Sequence, residues 1–204
     1  MSIPMYFAVA AGERVNKPND GLFHLGFGFY SDGSLRAPWD TDGVCVFDDA
    51  ILCQPRPDAL EALSALRGSI YFDFERPPCA FHAMLLTAVQ SRTVYLPVRY
   101  RSMCERAIPV IVSRPCNRWE ALCRSGQQLS VPWLLELHPI RKRHGASWSE
   151  TTQDVFLPQA LCNARLEPDT LWYYDDETSL RKKCEAAEHS GCIGIVGLWQ
   201  EWEE

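Results

Sequence analysis

The sequence of 204 residues predicts an α/β fold, a compact or degenerate (β/α)8 barrel of the TIM type, formed by residues 1–204 as a single domain. From about residue 57 onward, short apolar runs alternate with helical patterns, which is typical of the βα units that build a parallel sheet. The chain offers eight or nine strand-like segments, enough to close a barrel. Because 204 residues are few for this fold, some helices must be short or missing.

The first third of the chain is its least regular part. Residues 5–10 and 44–47 have the apolar and β-branched character of strands. Residues 27–30 run into a turn signal at 31–34. No helical pattern separates the first two strands, so we expect the barrel to be irregular in this region.

The middle of the chain alternates more clearly. One helix begins at Pro57-Asp58 and ends at Gly68, and Pro77-Pro78 opens a second. The predicted strands in this region cover 69–75, 93–98, 108–112 and 132–137. Pro97 and Pro109 weaken two of these strand predictions, since proline cannot donate to a sheet.

The last third repeats the alternation. Strand patterns at 170–174 and 192–199 flank a helical pattern. The boundary signals here are Asn117 with Glu120 as a cap pair and Gly126 as a stop for one helix, and Asp175 or Asp176 as a cap and Gly191 as a stop for the next. These elements complete the predicted barrel.

Composition excludes several classes of protein. Hydrophobic residues make up 47% of the chain and charged residues 23%, as in globular domains. The formal net charge of −6 argues against nucleic acid as a partner. No apolar run reaches the roughly 18 residues of a membrane span, so we expect no membrane partner. Without a visible secretory signal we expect a cytoplasmic location, although release by a non-classical route and the oligomeric state stay open.

The cysteines and histidines carry no recognisable ligand spacing. There are nine cysteines, an odd number, with no C-x-x-C, which favours buried free thiols in a reducing compartment. The five histidines lack metal-ligand spacing, and no glycine-rich phosphate loop occurs. We therefore expect neither a metal nor another cofactor.

The best candidate for chemistry is the pair Asp73 and Glu75. Residues two apart on a strand point to the same side, so Tyr71, Asp73 and Glu75 should share one face. Carboxylates held close together push their pKa values apart, so one stays ionised while the other carries a proton near neutral pH. General acid catalysis beside a stabilising charge needs this arrangement. The structural alternative is that either carboxylate caps the next helix or pairs with Arg76.

Two segments resemble a known family. Residues 70–75 resemble the fourth-strand motif of family 18 glycoside hydrolases, the chitinase-like family, whose pattern is D-x-x-D-x-D-x-E or a shortened form. Residues 172–180, Lys183 and 194–199 are similar to that family's end, where Tyr-Asp-Asp opens the last helix and a glycine-bearing strand finishes in tryptophan. The likeness covers about thirty-five residues. It departs in two places: Tyr71 replaces the family's first Asp, and the sixth-strand Met-x-Tyr-Asp is absent.

The resemblance implies a glycosidase that acts on β-linked N-acetylhexosamine glycans, of the chitin or peptidoglycan type, by substrate-assisted general acid catalysis. Glu75 would be the catalytic acid, Asp73 would orient the N-acetyl group, and Trp199 would lie under the distorted sugar. Tyr71, Glu136 and His138 are further candidates for substrate binding, of which Glu136 or His138 would substitute for the missing motif. Arg99 is a candidate on separate grounds, since it lies near a predicted strand end, and a solvated loop charge is the favoured alternative for it.

Other residues support weaker hypotheses. Trp39 and Trp148 lie in polar segments and are candidates for sugar subsites. The basic run 141–144 is interpreted as a solvated loop, with contact to an anionic polymer as the alternative. Two alternative functions stay open. One is a catalytically inactive carbohydrate-binding pseudoenzyme on the same barrel, and the other is an unrelated barrel in which Asp73 and Glu75 serve a different reaction or none.

Overall fold

The structure is a computed structural model of the chain. It describes residues 3–10, 21–26, 43–47, 57–65, 68–146, 154–198 and 202. The chain divides into two compact units, an N-terminal unit of residues 5–110 and a C-terminal unit of residues 1–4 and 111–204. A single domain over residues 1–204 stays a prediction.

The N-terminal unit contains a parallel sheet. Its strands are β1 (Met5–Ala10), β2 (Gly21–Gly26), β3 (Gly43–Phe47), β4 (Ser69–Asp73), β5 (Val94–Pro97) and the start of β6 (Ile108–Ser113). Each strand pairs in parallel with the next one along the chain. This order confirms the α/β class and is consistent with a degenerate barrel. The sequence analysis did not identify β2, and residues 27–34 lie outside the described ranges.

Two helices cover the N-terminal sheet. These are α1 (Pro57–Ala65) and α2 (Ala80–Ala88), and a 3-10 helix, Val98–Met103, follows β5. Ile70, Phe72 and Phe74 are fully buried in one cluster with Leu63 of α1 and Leu85 of α2. The prediction that this face of the strand packs under helices is therefore confirmed.

Both strands that contain proline form as predicted. Leu96 of β5 faces Pro109 of β6 in register, and Pro97 faces Val110. Pro97 is the last residue of its strand, where the missing N–H interrupts the sheet least.

The C-terminal unit combines a parallel strand pair with a small antiparallel sheet. Its elements are α3 (Trp119–Gln128), β7 (Trp133–Leu137), β8 (Ile140–Ala146), β9 (Val155–Leu157), β10 (Cys162–Glu167), β11 (Asp169–Tyr174), α4 (Glu177–His189) and β12 (Cys192–Leu198). β12 pairs with β7 in parallel. The other four strands form an antiparallel sheet in the order β8-β11-β10-β9.

This small sheet corrects two predictions. The segment 170–174 is a strand, but it pairs with β8 and β10 in antiparallel fashion and is therefore not a βα-unit strand. The basic run 141–144 belongs to strand β8 and is not a loop. Strand β8 was not predicted because residues 141–144 are four consecutive basic residues, without the alternation of apolar and polar residues that indicates a strand.

The boundaries of α3 also differ from the prediction. Its N-cap is Arg118, because the side-chain oxygen of Asn117 accepts a hydrogen bond from the Arg114 amide at 2.7 Å and is used in the turn before the helix. Gly126 lies inside the helix, where a β-carbon would overlap the indole of Trp133. Glycine is required there for close packing and does not end the helix. Gly191, with a φ of 89°, does follow the end of α4 as predicted.

The eight cysteines in the described residues are all free, as predicted, and Cys53 lies outside those residues. Only Cys45, Cys162 and Cys192 are fully buried, whereas Cys79 is exposed. The expectation of general burial was therefore too broad. Among the helices that the structure describes, none is long and apolar enough to cross a membrane.

Candidate functional site

Asp73 and Glu75 lie at the carboxyl end of β4. Asp73 is the last residue of the strand, is half-buried, and faces Phe47 of β3 in register. Phe74 is fully buried, and Glu75 is exposed. In parallel α/β folds, ligands bind at this end of the strands. The pair therefore lies where a substrate would be met.

The strand ends two residues earlier than predicted. Its register with β5 stops at the pair Tyr71 and Tyr95. Pro97, two residues farther along β5, has no N–H with which to extend the pairing. Because Glu75 lies beyond the strand, the alternation rule does not place its side chain on the face of Asp73. The burial expected of the acid is likewise absent, since Glu75 is exposed.

Arg99 holds the turn that follows β4. Its guanidinium donates a hydrogen bond to the carbonyl oxygen of Phe74. The guanidinium carbon also lies 5.1 Å from the centre of the Tyr100 ring, and that ring packs edge-on against Phe74 at 5.4 Å. Arg99 therefore holds the backbone between Asp73 and Glu75 at the carboxyl end of β4.

Tyr71 is a buried residue of β4. It is only 2% exposed and faces Cys45 of β3 and Tyr95 of β5 in register. Its burial is that of a core residue. Contact between Tyr71 and a substrate stays a prediction.

Glu136 and His138 form a pair at the end of β7. The ring nitrogen Nε2 of His138 lies 2.6 Å from the Oε1 atom of Glu136, which is only 6% exposed. The backbone N–H of His138 donates to the carbonyl oxygen of Ser113 at 3.0 Å. A carboxylate oxygen can only accept, so the imidazole donates here. Both residues were candidates from the sequence, and the structure brings them together.

Asp175 forms a buried ion pair. Its carboxylate accepts from the Lys183 ammonium at 2.7 Å, and both side chains are 0% exposed. The Ser179 hydroxyl donates to the same carboxylate at 3.1 Å. Burial raises the pKa of Asp175, and Lys183 and Ser179 oppose that rise. This carboxylate fastens α4 to the end of β11.

Asp176 has the neighbouring role of helix cap. Its carboxylate accepts from the Ser179 amide at 2.7 Å, and the Ser179 hydroxyl accepts from the Asp176 amide at 2.8 Å. The hydrogen bond from the Ser179 amide lowers the pKa of Asp176. Of the two capping candidates in the sequence, Asp176 is therefore the cap.

The tryptophans divide into described and undescribed residues. Trp199, Trp39 and Trp148 lie outside the described residues, so their proposed sugar contacts stay predictions. Trp133 is fully buried and donates to the Ser190 carbonyl oxygen at 3.1 Å, as expected of a core residue. Trp172 is half-buried and donates to Glu167 at 3.0 Å.

Cys79 and His82 pair at the start of α2, which was not predicted. Cys79 is the N-cap of α2, and its sulfur lies 3.5 Å from Nδ1 of His82. The backbone N–H of Cys79 donates to the same Nδ1 atom at 3.2 Å. The sequence signal was a Cys and a His three residues apart, directly after Pro77-Pro78. Within the residues that the structure describes, no group of three or more His, Cys, Asp or Glu side chains is placed to hold a metal ion.

Parallel strands paired in chain order define an α/β fold that is consistent with a degenerate barrel. No protein-family model and no curated protein sequence matches the chain. Among solved structures it is similar to the crystal structure of the Bacillus megaterium QM B1551 spore cortex-lytic enzyme SleL. The TM-score is 0.60 at 11% sequence identity, over 98% of this chain and 72% of that chain. At this identity the similarity concerns the fold.

Proposed function

We propose that this protein is a glycoside hydrolase of the peptidoglycan-acting kind, which cleaves β-linked N-acetylhexosamine glycans. The observation that carries the proposal is the position of Asp73 and Glu75 at the carboxyl end of a central parallel strand. The similarity in fold to a spore cortex-lytic enzyme supports it and favours peptidoglycan over chitin as the substrate class. A TIM-type (β/α)8 barrel and a family 18-like site are the finer parts of the proposal.

The chemistry follows from two carboxyl groups with different tasks. The Glu75 carboxyl gives its proton to the glycosidic oxygen while the bond to the anomeric carbon breaks. The carbonyl oxygen of the substrate's own N-acetyl group attacks that carbon, as in the substrate-assisted exceptions to the two-carboxylate scheme. The Asp73 carboxylate accepts a hydrogen bond from the acetamido N–H and stabilises the positive charge that develops there. A water molecule then opens the intermediate, with Glu75 as the base.

Exposure of Glu75 sets a requirement on the substrate. A general acid must carry its proton when it protonates the glycosidic oxygen, and exclusion of water favours a protonated carboxyl group. The proposed mechanism therefore requires the bound glycan to cover Glu75.

A pseudoenzyme is the second candidate, and one observation favours it. Tyr71 occupies the position of the first motif Asp and is 2% exposed, so no third carboxylate tunes Asp73 from that position. A protein that binds the glycan at the same edge without cleaving it would fit this arrangement. Trp199 would contribute apolar contact in either case.

The experiment measures reducing ends released from peptidoglycan and from N-acetylglucosamine oligomers. We expect Glu75→Gln to lower turnover by about 10²-fold or more while glycan binding survives, because general acid catalysis contributes that much. Asp73→Asn should lower turnover through lost orientation of the acetamido group. The matched control is Glu61→Gln, at an exposed glutamate of α1, which should keep full turnover.

The outcomes separate the candidates. Cleavage that persists unchanged in Glu75→Gln rejects Glu75 as the acid. Binding without cleavage by the wild-type protein identifies the pseudoenzyme. If neither glycan is bound or cleaved, the barrel serves another purpose and the proposal is wrong.

A further inference from the structure

The carbonyl group of Phe74 lies just beyond the point where the pairing of β4 with β5 ends. Phe74 is 0% exposed, so its carbonyl oxygen needs a hydrogen-bond partner within the protein. In the register of the two strands, the N–H of Ile70 donates to the carbonyl oxygen of Thr93 at 2.9 Å, and every second residue of β4 would repeat this contact. Continued as far as Phe74, the pattern would make the backbone N–H of Arg99 the donor.

Arg99 supplies a donor from its side chain instead. Pro97 has no N–H and ends β5, and the 3-10 helix Val98–Met103 begins directly after it, so the pairing does not continue. The guanidinium of Arg99 donates a hydrogen bond to the carbonyl oxygen of Phe74. The other interaction that the described residues give this guanidinium is with the ring of Tyr100, whose centre lies 5.1 Å from the guanidinium carbon. The side chain of Arg99 is therefore bonded to the backbone and not to a carboxylate.

The hydrogen bond from Arg99 also fixes the backbone of Glu75. The carbonyl group of Phe74 and the N–H of Glu75 belong to one planar peptide unit. Because the oxygen of this unit is held, the direction in which the chain enters the α-carbon of Glu75 is held as well. Glu75 is exposed, so the core does not surround its side chain and the main chain must set its position.

The far end of the same turn is fixed by His82. The backbone N–H of Cys79 donates to Nδ1 of His82 at 3.2 Å. The ring centre of His82 lies 4.2 Å from that of Phe74, and both residues are 0% exposed. Between the two ends the chain contains two prolines, whose φ angles are restricted. The turn of residues 74–79 is therefore anchored at both ends, and Glu75 lies next to the anchor that Arg99 provides.

We propose that Arg99 is a positioning residue of the proposed glycosidase reaction, which holds the turn of Glu75 so that its carboxyl group meets the glycosidic oxygen. The inference rests on the proposed function, in which Glu75 is the acid. A general acid must lie within hydrogen-bond reach of the atom that it protonates, and a displacement of about 1 Å can lower turnover about 10²-fold. A substrate contact at Arg99 would affect every substrate alike, whereas a positioning role affects those substrates whose leaving group needs the proton.

The test compares two leaving groups on N-acetylglucosamine. A sugar leaves an N-acetylglucosamine oligomer only when its oxygen is protonated, whereas dinitrophenol leaves the dinitrophenyl glycoside as a stable anion without a proton. For Arg99→Met we expect kcat/KM to fall about tenfold or more on the oligomer and by less than about twofold on the dinitrophenyl glycoside, because kcat/KM reports the step in which the glycosidic bond breaks. Glu75→Gln should show the same dependence with a larger loss on the oligomer. Arg99→Lys keeps a donor and should recover part of the turnover.

Arg106→Met is the matched control. The guanidinium of Arg106 also donates to backbone carbonyl oxygens, those of Arg92 and, at 2.8 Å, of Val89. These residues precede β5, so they lie away from the carboxyl end of β4. Arg106→Met should therefore change kcat/KM on the two substrates by the same factor. An equal loss on both substrates in Arg99→Met, or a leaving-group dependence in Arg106→Met that matches it, would overturn the proposal.

Amide hydrogen exchange over residues 75–80 tests the anchor without any glycan. This segment contains the hydrogen-bonded amide of Cys79, and we expect its exchange to become about tenfold faster in Arg99→Met and to stay unchanged in Arg106→Met. Unchanged exchange in Arg99→Met would contradict the anchor. Wild-type protein that cleaves neither substrate would contradict the proposed function, and faster exchange in Arg99→Met would then still show that Arg99 holds the turn. If Arg99→Met does not fold, Arg99→Lys undergoes the same comparison of substrates, and equal losses on both would overturn the proposal.

Discussion

Two strand ends in this protein carry paired acidic residues, and they use them differently. Asp73 ends β4 and Glu75 follows it, whereas Asp175 and Asp176 both follow β11. At the end of β11 one carboxylate is buried against Lys183 and the other caps α4. At the end of β4 Asp73 is half-buried and Glu75 is exposed. The comparison separates carboxylates that hold the fold together from carboxylates that can meet a ligand.

The difference originates in the residues that follow each pair. α4 begins directly after Asp176, so its free amides and Lys183 lie within reach of both carboxylates. After Glu75, by contrast, Arg76, Pro77 and Pro78 delay the helix, and Cys79 becomes its cap. The acidic residues after β4 are therefore not needed to start a helix. For this reason we propose a catalytic role for Asp73 and Glu75 and a structural role for Asp175 and Asp176.

The largest expected effect is on the buried pair. Lys183→Met leaves the Asp175 carboxylate buried without its cation, which costs about 3–5 kcal/mol of unfolding free energy. Urea denaturation at pH 7 measures the loss. Arg124→Met is the control, because the ion pair of Arg124 with Glu120 is exposed and contributes about 1 kcal/mol or less.

A small loss of stability in Lys183→Met would contradict the structural role of the Asp175–Lys183 ion pair. It would mean that Asp175 is protonated in the variant at little cost, or that the segment rearranges to let water in. The first case is recognisable, since stability would then fall as the pH rises. Burial already raises the pKa of Asp175 in the wild-type protein.

The cap at α4 is expected to matter less than the buried pair. Asp176→Ala removes the acceptor for the Ser179 amide and should cost about 1 kcal/mol. Glu75→Ala removes an exposed carboxylate at the other strand end and should change stability by no more than about 0.5 kcal/mol. Thermal unfolding of the two variants side by side measures both. Equal losses would show that Glu75 also supports the fold.

The sequence predicted most of the elements around these two strand ends, but not the residue at which β4 ends. The sequence predicted β4, β7, α2 and α4 because each of these elements buries one face. Its apolar residues therefore recur with the spacing of a strand or of a helix. The alternation rule failed at Glu75, since where a strand ends depends on its neighbour, here on Pro97 of β5. Such pairing across distant segments leaves no local signal.

At Asp175 and Asp176, a segment that resembles a family motif has a structural role. Both residues belong to the segment that resembles a family of enzymes, yet their observed contacts are a buried ion pair and a helix cap. The cap was predictable locally, because Asp is a preferred residue at a helix N-cap. The ion pair between Asp175 and Lys183 was not predictable in this way. It depends on the burial of both side chains, which the sequence between them does not reveal.

The smallest effect concerns pH and distinguishes the two acids after β11. The amide of Ser179 lowers the pKa of Asp176 below its value of about 3.9 in an unfolded chain. The stability that the ionised carboxylate contributes is therefore complete above about pH 5 and is lost as the pH falls through the lower native pKa. Asp176→Asn keeps the cap but does not titrate. We expect wild-type stability to exceed that of the variant by about 0.3–1 kcal/mol at pH 5, and the excess to shrink toward pH 2.

Asp175 adds a contribution of opposite sign at higher pH. The charge of Asp176 is the smallest of the causes that raise or lower the pKa of Asp175, and it raises it. In Asp176→Asn the ionisation of Asp175 therefore becomes slightly easier, which stabilises the variant relative to wild type as the pH rises through the titration of Asp175. Asp175 titrates at higher pH than Asp176. The stability of wild type over Asp176→Asn should therefore be greatest at a pH between the two titrations and should decline at lower and at higher pH. Chemical denaturation of both proteins from pH 2 to pH 8 measures the curve, and an excess that grows steadily toward acid pH would contradict the assignment of Asp176 as the ionised cap.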